Sequence, residues 1–434
     1  MFSDLAELYR LTIFVLLHGG WIAFAWALLY MIYRLYMDFI QIRWYEEQEW
    51  VFLKIVVPRE NEKSPLAFEQ IFNQLHSIHA TFTWPESYIE GQFQIWFTWE
   101  ITSIGGAIGN YVRVLAKHRD VMEAAIYSQF PAAEISEAED YFEKLPKYNT
   151  DTSPYGIFAY DMISKKENSY PIRTYIEFEH SAADTFVDPV TGLWEELGKL
   201  NPYEMFVVQI IFRPIDDKWK DHGYELVKKL KGEPEGHGHG QGIIVDIINR
   251  VVGEFLDFFI RSDAEAHGAA SHSQDEPLSL MLHKSEGEKA VIAAIERKLS
   301  KLTYETKIRH LYIAPREKFN PSPVYTAVIG AIKSVGSSAI NSIKPDTDHW
   351  TKVKYRMFKD WEQPITDLRR KYRERHFMHM ITHRWFFHGP HAFIMNSEEI
   401  ATILHFPQIE VTVPLVEKVG ATKVQPPPEL PTVL

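Results

Sequence analysis

Residues 93–115 read FQIWFTWEITSIGGAIGNYVRVL and contain the clearest strand pair in the sequence. Two runs rich in aromatic and β-branched residues, Phe93–Ile101 and Ala107–Leu115, lie on either side of the dipeptide Gly105-Gly106. Such runs favour strands, and a short connection that contains glycine favours a hairpin between them. The stretch therefore predicts a β-hairpin, and with it a sheet.

The residues on both sides of the hairpin extend it to a β-α-β-β-α order. WVFLKIVVP (50–58) places apolar residues at alternate positions, as a strand does, and Ser64-Pro65 then opens a segment with apolar residues at helical spacing. A second helix is predicted over residues 119–130. This order is that of a ferredoxin-like unit, which we assign to residues 50–145.

A similar pattern recurs over residues 168–340 and predicts a second ferredoxin-like unit. YPIRTYIEFE (170–179) and MFVVQIIFR (205–213) are expected to be strands. Asp188-Pro189 and Ser322-Pro323 each combine a helix-capping residue with a proline at the first helical position. The repeat is one of structural pattern and not of sequence identity.

Further segments complete the predicted organisation. An insertion at about residues 216–284 contains GEPEGHGHGQG and an apolar helix with a narrow polar stripe, which could pack within the domain or dock on a partner or a membrane. A basic helical region is expected over residues 341–411, and residues 412–434 are expected to form an extended, proline-rich tail. The predicted fold class is therefore α+β, with an N-terminal transmembrane helix, two ferredoxin-like (βαββα) units and a C-terminal helical segment with its proline-rich tail.

The first 49 residues are predicted to form a transmembrane anchor and a juxtamembrane helix. Leu11–Tyr33 contains no Asp, Glu, Lys or Arg, and a helix of that length spans roughly 34 Å, enough for a hydrocarbon core of about 30 Å. Arg34 and Arg43 follow the span, which favours an inner-membrane protein with a single span and the bulk of the chain in the cytoplasm. A cleaved signal peptide is the alternative, although acidic residues at the start argue against it.

Composition excludes several kinds of chemistry. The 434 residues have a net charge of −12 and include no cysteine, which excludes disulfides, thiolate zinc sites, iron–sulfur clusters and cysteine nucleophiles. No phosphate-binding loop, HExxH or GxSxG motif is present. We therefore predict neither an enzyme nor a cofactor. A hydrolase whose triad assembles only in space is a further hypothesis.

Two groups of histidines could supply nitrogen ligands to a metal. His376, His379 and His383 share one face of a predicted helix, and His237 and His239 lie in the glycine-rich part of the insertion. No carboxylate or fourth ligand accompanies the first group, and a flexible loop does not preorganise the second. We therefore predict no metal site.

Residues 351–384 form the one strongly basic region of this acidic chain. They contain ten Lys or Arg against four acids, which leaves about −18 for the rest of the chain. Basic side chains beside Tyr372 and Phe377 suit phosphate contact and base stacking, but they also suit lipid headgroups, an acidic partner or a salt-bridged helix face. The candidates for binding nucleic acid or another anionic partner are Arg369, Arg370, Lys371, Arg373 and Arg375.

Three segments together resemble a known family. They are WVFLKIVVPRENEKSPLAFEQIFNQLHSIH (Trp50–His79), YPIRTYIEFEHSAADTFVDPVTGLWEEL (Tyr170–Leu197) and AFIMNSEEIATILHFPQIEV (Ala392–Val411). The family is one of membrane-anchored bacterial proteins that look like the N-terminal, non-motor half of type IV secretion and conjugation coupling ATPases. In fused members, a segment similar to SEEIATILHFP leads into an AAA+-like DNA-pumping motor. None of the matched positions is an ATP-site residue.

The resemblance implies a function as a membrane-anchored, non-catalytic platform or docking subunit. The subunit would serve a type IV secretion-like or conjugative DNA translocation machine together with a separate AAA+-type ATPase, because PPPELP is followed by only a few residues here. The implied partners are a lipid bilayer, this ATPase, DNA through the basic helix, and further subunits in an oligomeric membrane complex. The alternative is a structural scaffold of an envelope complex that contacts neither nucleic acid nor an ATPase.

Overall fold

Nine strands of the described part of the chain pair into one antiparallel sheet. The structure is a computed structural model, and it describes residues 19, 21–58, 63–145, 147–179, 190–232, 284–353 and 359–406. The strands are β1 Trp50–Val56, β2 Phe97–Ile104, β3 Ala107–Leu115, β4 Glu134–Glu137, β5 Tyr155–Ser164, β6 Met205–Pro214, β7 Thr303–Pro315, β8 Ile343–Pro345 and β9 Phe393–Asn396. Their order across the sheet is β4-β1-β3-β2-β6-β7-β5-β8, and β9 pairs with the first residues of β7.

Helices cover both faces of the sheet. They are α1 Trp21–Glu46, α2 Leu66–Leu75, α3 Trp84–Tyr88, α4 Arg119–Gln129, α5 Tyr175–Glu179, α6 Thr191–Gly198, α7 Lys220–Lys231, α8 Glu286–Leu299, α9 Ser322–Val335, α10 Lys359–Thr382 and α11 Ser397–Ile403. Apolar side chains of α2, α4, α6, α9 and α11 enclose the larger core on one face. On the opposite face, α10 contributes Phe377, Met378, Met380 and Ile381 to a second core.

The predicted hairpin is confirmed. β2 pairs with β3 from Thr98↔Arg113 to Ile104↔Ala107. Gly105 and Gly106 connect the two strands with φ values of 59° and 86°, a backbone conformation that glycine adopts without steric cost. The helix predicted over residues 119–130 is also confirmed, as α4.

The prediction of two ferredoxin-like units is wrong, because strands from both predicted regions lie in one sheet. β2 pairs with β6 over its whole length, from Phe97↔Phe212 to Ile104↔Met205. An edge strand leaves a row of backbone N–H and C=O groups unpaired. Here β2 of the first predicted unit and β6 of the second form hydrogen bonds with each other, so these groups are paired. The residue pattern shows which segments form strands, but it does not show which edge each strand pairs with.

The strand predicted over residues 170–179 is also wrong. Its last residues form α5, and the strand of this region is β5, which the sequence pattern did not single out. The backbone N–H of Ile172 donates to Glu399 at 2.9 Å, and that of Tyr175 donates to Thr402 at 3.0 Å. Because side chains of α11 satisfy these donors, the segment needs no strand partner.

The prediction of an N-terminal transmembrane helix is wrong as well. Among the residues that the structure describes, no helix combines the length and the apolar character needed to cross a membrane. Only residues 21–33 of α1 precede its first charged residue, Arg34, and at about 1.5 Å per residue they are too short for a hydrocarbon core of about 30 Å. Residues 11–18 and 20 of the predicted span, residues 233–283 of the insertion and the proline-rich tail lie outside the described residues.

Candidate functional site

A row of polar side chains crosses the middle of the sheet on the face that α10 covers. Asp161 of β5 lies directly opposite Arg309 of β7, which lies opposite Gln209 of β6, which lies opposite Glu100 of β2. All four side chains are buried. Glu100, Gln209 and Asp161 lie between apolar or aromatic neighbours in their strands, and Arg309 lies between Ile308 and His310. The row exists because the register of four strands aligns these side chains.

Glu100 is the most densely bound member of this row. Its Oε1 accepts hydrogen bonds from Arg384 Nε at 2.7 Å and from Gln209 Nε2 at 3.0 Å, and its Oε2 accepts from Tyr141 Oη at 2.6 Å. Burial, and then the charge of Glu100, raise the pKa of Tyr141 well above its ordinary value. Tyr141 therefore remains a hydrogen-bond donor throughout the physiological pH range.

Arg384 joins the polar row to the end of α10. Its guanidinium binds Glu100 and also donates to Asp140 at 2.5 Å, while its carbonyl accepts from Trp96 Nε1 at 2.9 Å. Its φ of 56° lies in the left-handed region, which is uncommon for any residue with a side chain. Burial lowers the pKa of Arg384, but the two carboxylates outweigh burial and hold its pKa above the ordinary value.

Arg309 holds the loop after α10 from the other end of the row. It binds Asp161 at 3.2 Å and donates to the carbonyl of His388 at 2.9 Å. Lys307 donates to the same carbonyl at 2.9 Å. Burial, followed by the charge of Arg309, lowers the pKa of Lys307 to about 8. The loop is therefore attached to the sheet by two buried cations.

The buried charges of this row are arranged to support the fold. Burial raises the pKa of Asp161, and the adjacent Arg309 opposes that rise. Each carboxylate in the row is bound to a guanidinium, and α10 and the following loop lie over it. A buried ion pair with further hydrogen bonds specifies one arrangement of the groups that it joins. Here it fixes α10 on the sheet.

An open pocket of about 440 Å³ lies beside the row, between β3 and the segment before Tyr148. Its wall includes Tyr111, Tyr141, Lys144 and Met205. The hydroxyl of Tyr141 is bound to Glu100, and Lys144 forms an ion pair with Glu139 at 3.5 Å. These two polar groups are therefore already engaged by the protein itself.

The structure separates the five predicted anion-binding residues into two sets, and the first set is bound within the fold. Arg370 lies 3.5 Å from Asp367 and 3.4 Å from Glu374. Lys371 forms an ion pair with Asp151. Arg373 donates to the carbonyl of Trp350 at 3.0 Å. Arg370 is therefore paired within α10, whereas Lys371 and Arg373 attach the helix to neighbouring segments.

The second set, Arg369 and Arg375, lies on the exposed side of α10. Both side chains are exposed. Arg375 Nε donates to the carbonyl of Lys371 at 3.4 Å, which leaves the rest of its guanidinium directed outward. Arg369 makes no ion pair with any residue in the described ranges. Of the five predicted residues, these two are available to an external anion.

Histidines extend the exposed side of α10 and continue into the following loop. The rings of His379 and His383 stack with centroids 4.3 Å apart, and those of His376 and His388 meet edge to face at 5.9 Å. Within the described part of the chain, no group of three His, Asp or Glu side chains is arranged to hold a metal ion. His237 and His239 lie outside that part.

Aromatic rings are exposed among these cations. Tyr372 is 63% exposed and stacks on His376, with ring centroids 5.8 Å apart and an interplanar angle of 5°. Phe387 is 52% exposed. Trp385 meets His388 edge to face at 5.8 Å. We call Arg369, Tyr372, Arg375, His376, His379, His383, Phe387 and His388 the α10 surface. The sequence pointed to its arginines, but it did not connect them with the histidines.

The segment from β9 to Phe406 is built into the body on the opposite face of the sheet. Lys298 of α8 binds Glu399 of α11 at 3.0 Å, and both side chains are buried. The ring of Phe406 meets Phe68 at 4.9 Å and Phe130 at 5.1 Å. This segment, which contains SEEIATILHF, is therefore a part of the core.

The chain matches the model of a protein family. Residues 40–327 match the model described as "Domain of unknown function (DUF8128)". No curated protein matches the sequence. Both α10 and α11 follow the matched residues. Because the match covers more than half of the chain, the chain belongs to this family.

Proposed function

We propose that this member of the DUF8128 family is a non-catalytic docking platform. The observation that carries the proposal is the ion pair between Arg384 and Glu100, which locks the end of α10 onto the centre of the sheet. A helix fixed in this way keeps its outer side in a constant position. The buried charges are used within the fold, while Arg369 and Arg375 face outward. This division suits a protein that presents a surface to a partner.

The proposed setting is a type IV secretion-like or conjugative DNA translocation machine that works with a separate ATPase. The resemblance of Trp50–His79, Tyr170–Leu197 and Ala392–Val411 to the non-motor half of coupling ATPases supports this setting. In the fused members of that family, the segment similar to Ala392–Val411 leads into the motor. The packing of Phe406 in the core is in keeping with such a role, because it holds the end of the described segment in a fixed position.

A scaffold without an ATPase or nucleic acid is the second candidate. The side chains of α1 favour it, since Phe24, Trp26 and Leu29 are large, apolar and exposed. Contiguous exposed apolar side chains mark surfaces that bind other molecules. A scaffold would use this helix to hold a neighbouring subunit.

Co-purification with an encoded neighbour tests the proposed function. A gene next to this one that encodes GxxxxGK[ST] would be co-expressed with the tagged full-length chain and purified in mild detergent. We expect the two proteins to elute together as a complex of fixed stoichiometry. The absence of such genes, or an ATPase that elutes alone, would contradict the platform function and favour the scaffold.

A further inference from the structure

We propose that the α10 surface binds single-stranded nucleic acid, and that it binds more tightly as the pH falls. The proposal rests on the proposed function for its biological setting, and it names the ligand class and the regulation of that platform.

The α10 surface is cationic and contains no exposed carboxylate of its own. Glu374, the one acid between Arg369 and the end of α10, is buried and accepts a hydrogen bond from Tyr148 at 2.7 Å. Two carboxylates lie at the margin: Asp367 is engaged by Arg370, and the exposed Asp151 is engaged by Lys371 and also acts on Arg375. In a chain of net charge −12, such a surface provides a local attraction for a polyanion.

Other elements add positive charge beneath this surface. Lys307 and Arg309 of β7 reach the carbonyl of His388 from below. Asp161 of β5 is bound to Arg309, and Asp161 and Glu305 both act on Lys307. Four groups act electrostatically on His388, namely His376, His379, Arg309 and Lys307. All four are bases, so each contributes positive charge when it is protonated.

The exposed rings favour nucleobases over other anionic ligands. A nucleobase can stack on a flat aromatic face, whereas the phosphate of a lipid headgroup or the carboxylate of an acidic peptide cannot. Tyr372 and Phe387 present rings that are more than half exposed, within a surface of Arg and His side chains. Alternating cations and stacking platforms are the means by which proteins bind single strands without sequence preference.

The histidines would make this binding depend on pH. A bound phosphate favours the protonated imidazole, so affinity rises as the pH falls through the histidine pKa values. Partial burial, and then the charges of His383 and His376, lower the pKa of His379. The gain in affinity is therefore expected on the acidic side of the ordinary histidine range.

The first test measures the charge contribution. The full-length chain in mild detergent is titrated into a fluorescein-labelled 20-residue oligothymidylate, and anisotropy is recorded across a range of NaCl concentrations at pH 6. The variant with Arg369→Gln and Arg375→Gln should reduce the salt slope by about 1.4, because each phosphate contact contributes about 0.7. The matched control is Lys228→Gln with Lys229→Gln, which removes two exposed cations from α7 and should leave the slope unchanged.

The second test separates stacking and protonation from simple attraction. Tyr372→Leu should weaken binding about tenfold, whereas Tyr372→Phe keeps the ring and should bind as the wild type does. The wild type should bind about tenfold more tightly at pH 5.5 than at pH 8, and His379→Gln with His383→Gln should remove most of that difference. All these side chains are exposed, and an unchanged melting temperature checks that each variant is folded.

Several outcomes would overturn the proposal. They are no binding at pH 6 and low salt, equal binding by the Tyr372→Leu variant, and full competition by polyglutamate at the same charge concentration. Sedimentation with phosphatidylglycerol vesicles without oligonucleotide binding would assign the surface to lipid instead. Each of these results leaves the ATPase co-purification unaffected, so this proposal and the platform function can fail separately.

Discussion

Arg384 and Glu100 form a two-pronged ion pair at the centre of the protein, with Nε–Oε1 and Nη2–Oε2 distances of 2.7 and 3.0 Å. The two residues are 284 positions apart in the chain, and neither is exposed. Glu100 lies in the middle of β2, and Arg384 is the second residue after the end of α10. The contact therefore determines where α10 lies on the sheet.

Removal of one partner of this pair should strongly destabilise the fold. Arg384→Met leaves the Glu100 carboxylate buried with hydrogen bonds but without its cation, and we expect a loss of about 3–5 kcal/mol in the free energy of unfolding. The double variant with Glu100→Gln should recover part of that loss. Urea denaturation of the three proteins measures both effects, and a loss below about 1 kcal/mol for Arg384→Met would contradict the assigned role.

His310 should make the fold sensitive to acid. Its ring lies between Tyr160 and Phe206, and burial lowers its pKa from 6.5 to about 3. Between these pH values the unfolded state binds more protons than the folded state, so stability falls as the pH falls. The buried, neutral His310 should therefore lower the free energy of unfolding of the wild type by about 3 kcal/mol at pH 4.5, relative to pH 8.

The variant His310→Phe retains the stacking and removes the titrating group. Its free energy of unfolding should therefore decrease less than that of the wild type between pH 8 and pH 4.5. Urea denaturation at each pH measures the free energy of unfolding of the two proteins. The assignment would be contradicted if this free energy decreased equally in both between pH 8 and pH 4.5.

Phe406→Ala should loosen the C-terminal segment from the core. The ring contacts Phe68, Phe130 and Trp99, and loss of a buried phenylalanine costs about 3–5 kcal/mol. Limited proteolysis should then cleave the segment after β9 faster than in the wild type. Phe387→Ala is the matched control, because that ring is exposed and its loss should change stability by less than about 0.5 kcal/mol.

The two sets of cations on α10 should differ in their effect on stability. Arg373→Gln removes a hydrogen bond to the carbonyl of Trp350 and should cost about 1 kcal/mol. Arg369→Gln removes an exposed side chain and should change stability by less than about 0.5 kcal/mol. Thermal unfolding of both variants at equal ionic strength measures the difference. Equal effects would show that the assignment of inward and outward residues is wrong.

The sequence predicted elements whose signal lies within one short segment. The hairpin around Gly105 and Gly106 and the helix α4 are of this kind, since spacing and glycine content suffice to identify them. The strand predicted over residues 170–179 was wrong because the contacts that determine its structure are distant in the sequence. Their backbone donors are satisfied by Glu399 and Thr402, which lie more than 200 positions away.

The candidate site depended on information that spacing does not contain. Glu100, Gln209 and Arg309 lie far apart in the chain, and only the register of the sheet brings them together. The helical period likewise placed Arg369 and Arg373 in one basic run, but it could not show that Trp350 lies beside one of them. A lone charged residue in an apolar strand was the available signal, and it indicates a buried partner without identifying it.

The pairing of β2 with β6 determines how the chain can be divided. A fragment that ends between these strands would expose the hydrogen-bonding edge of β2, whose residues Phe97, Trp99 and Ile101 are apolar and buried in the intact protein. Such an edge invites association with other chains. The two halves are therefore expected to be inherited and expressed together, and a truncation at the apparent boundary between them would yield an aggregate instead of a domain.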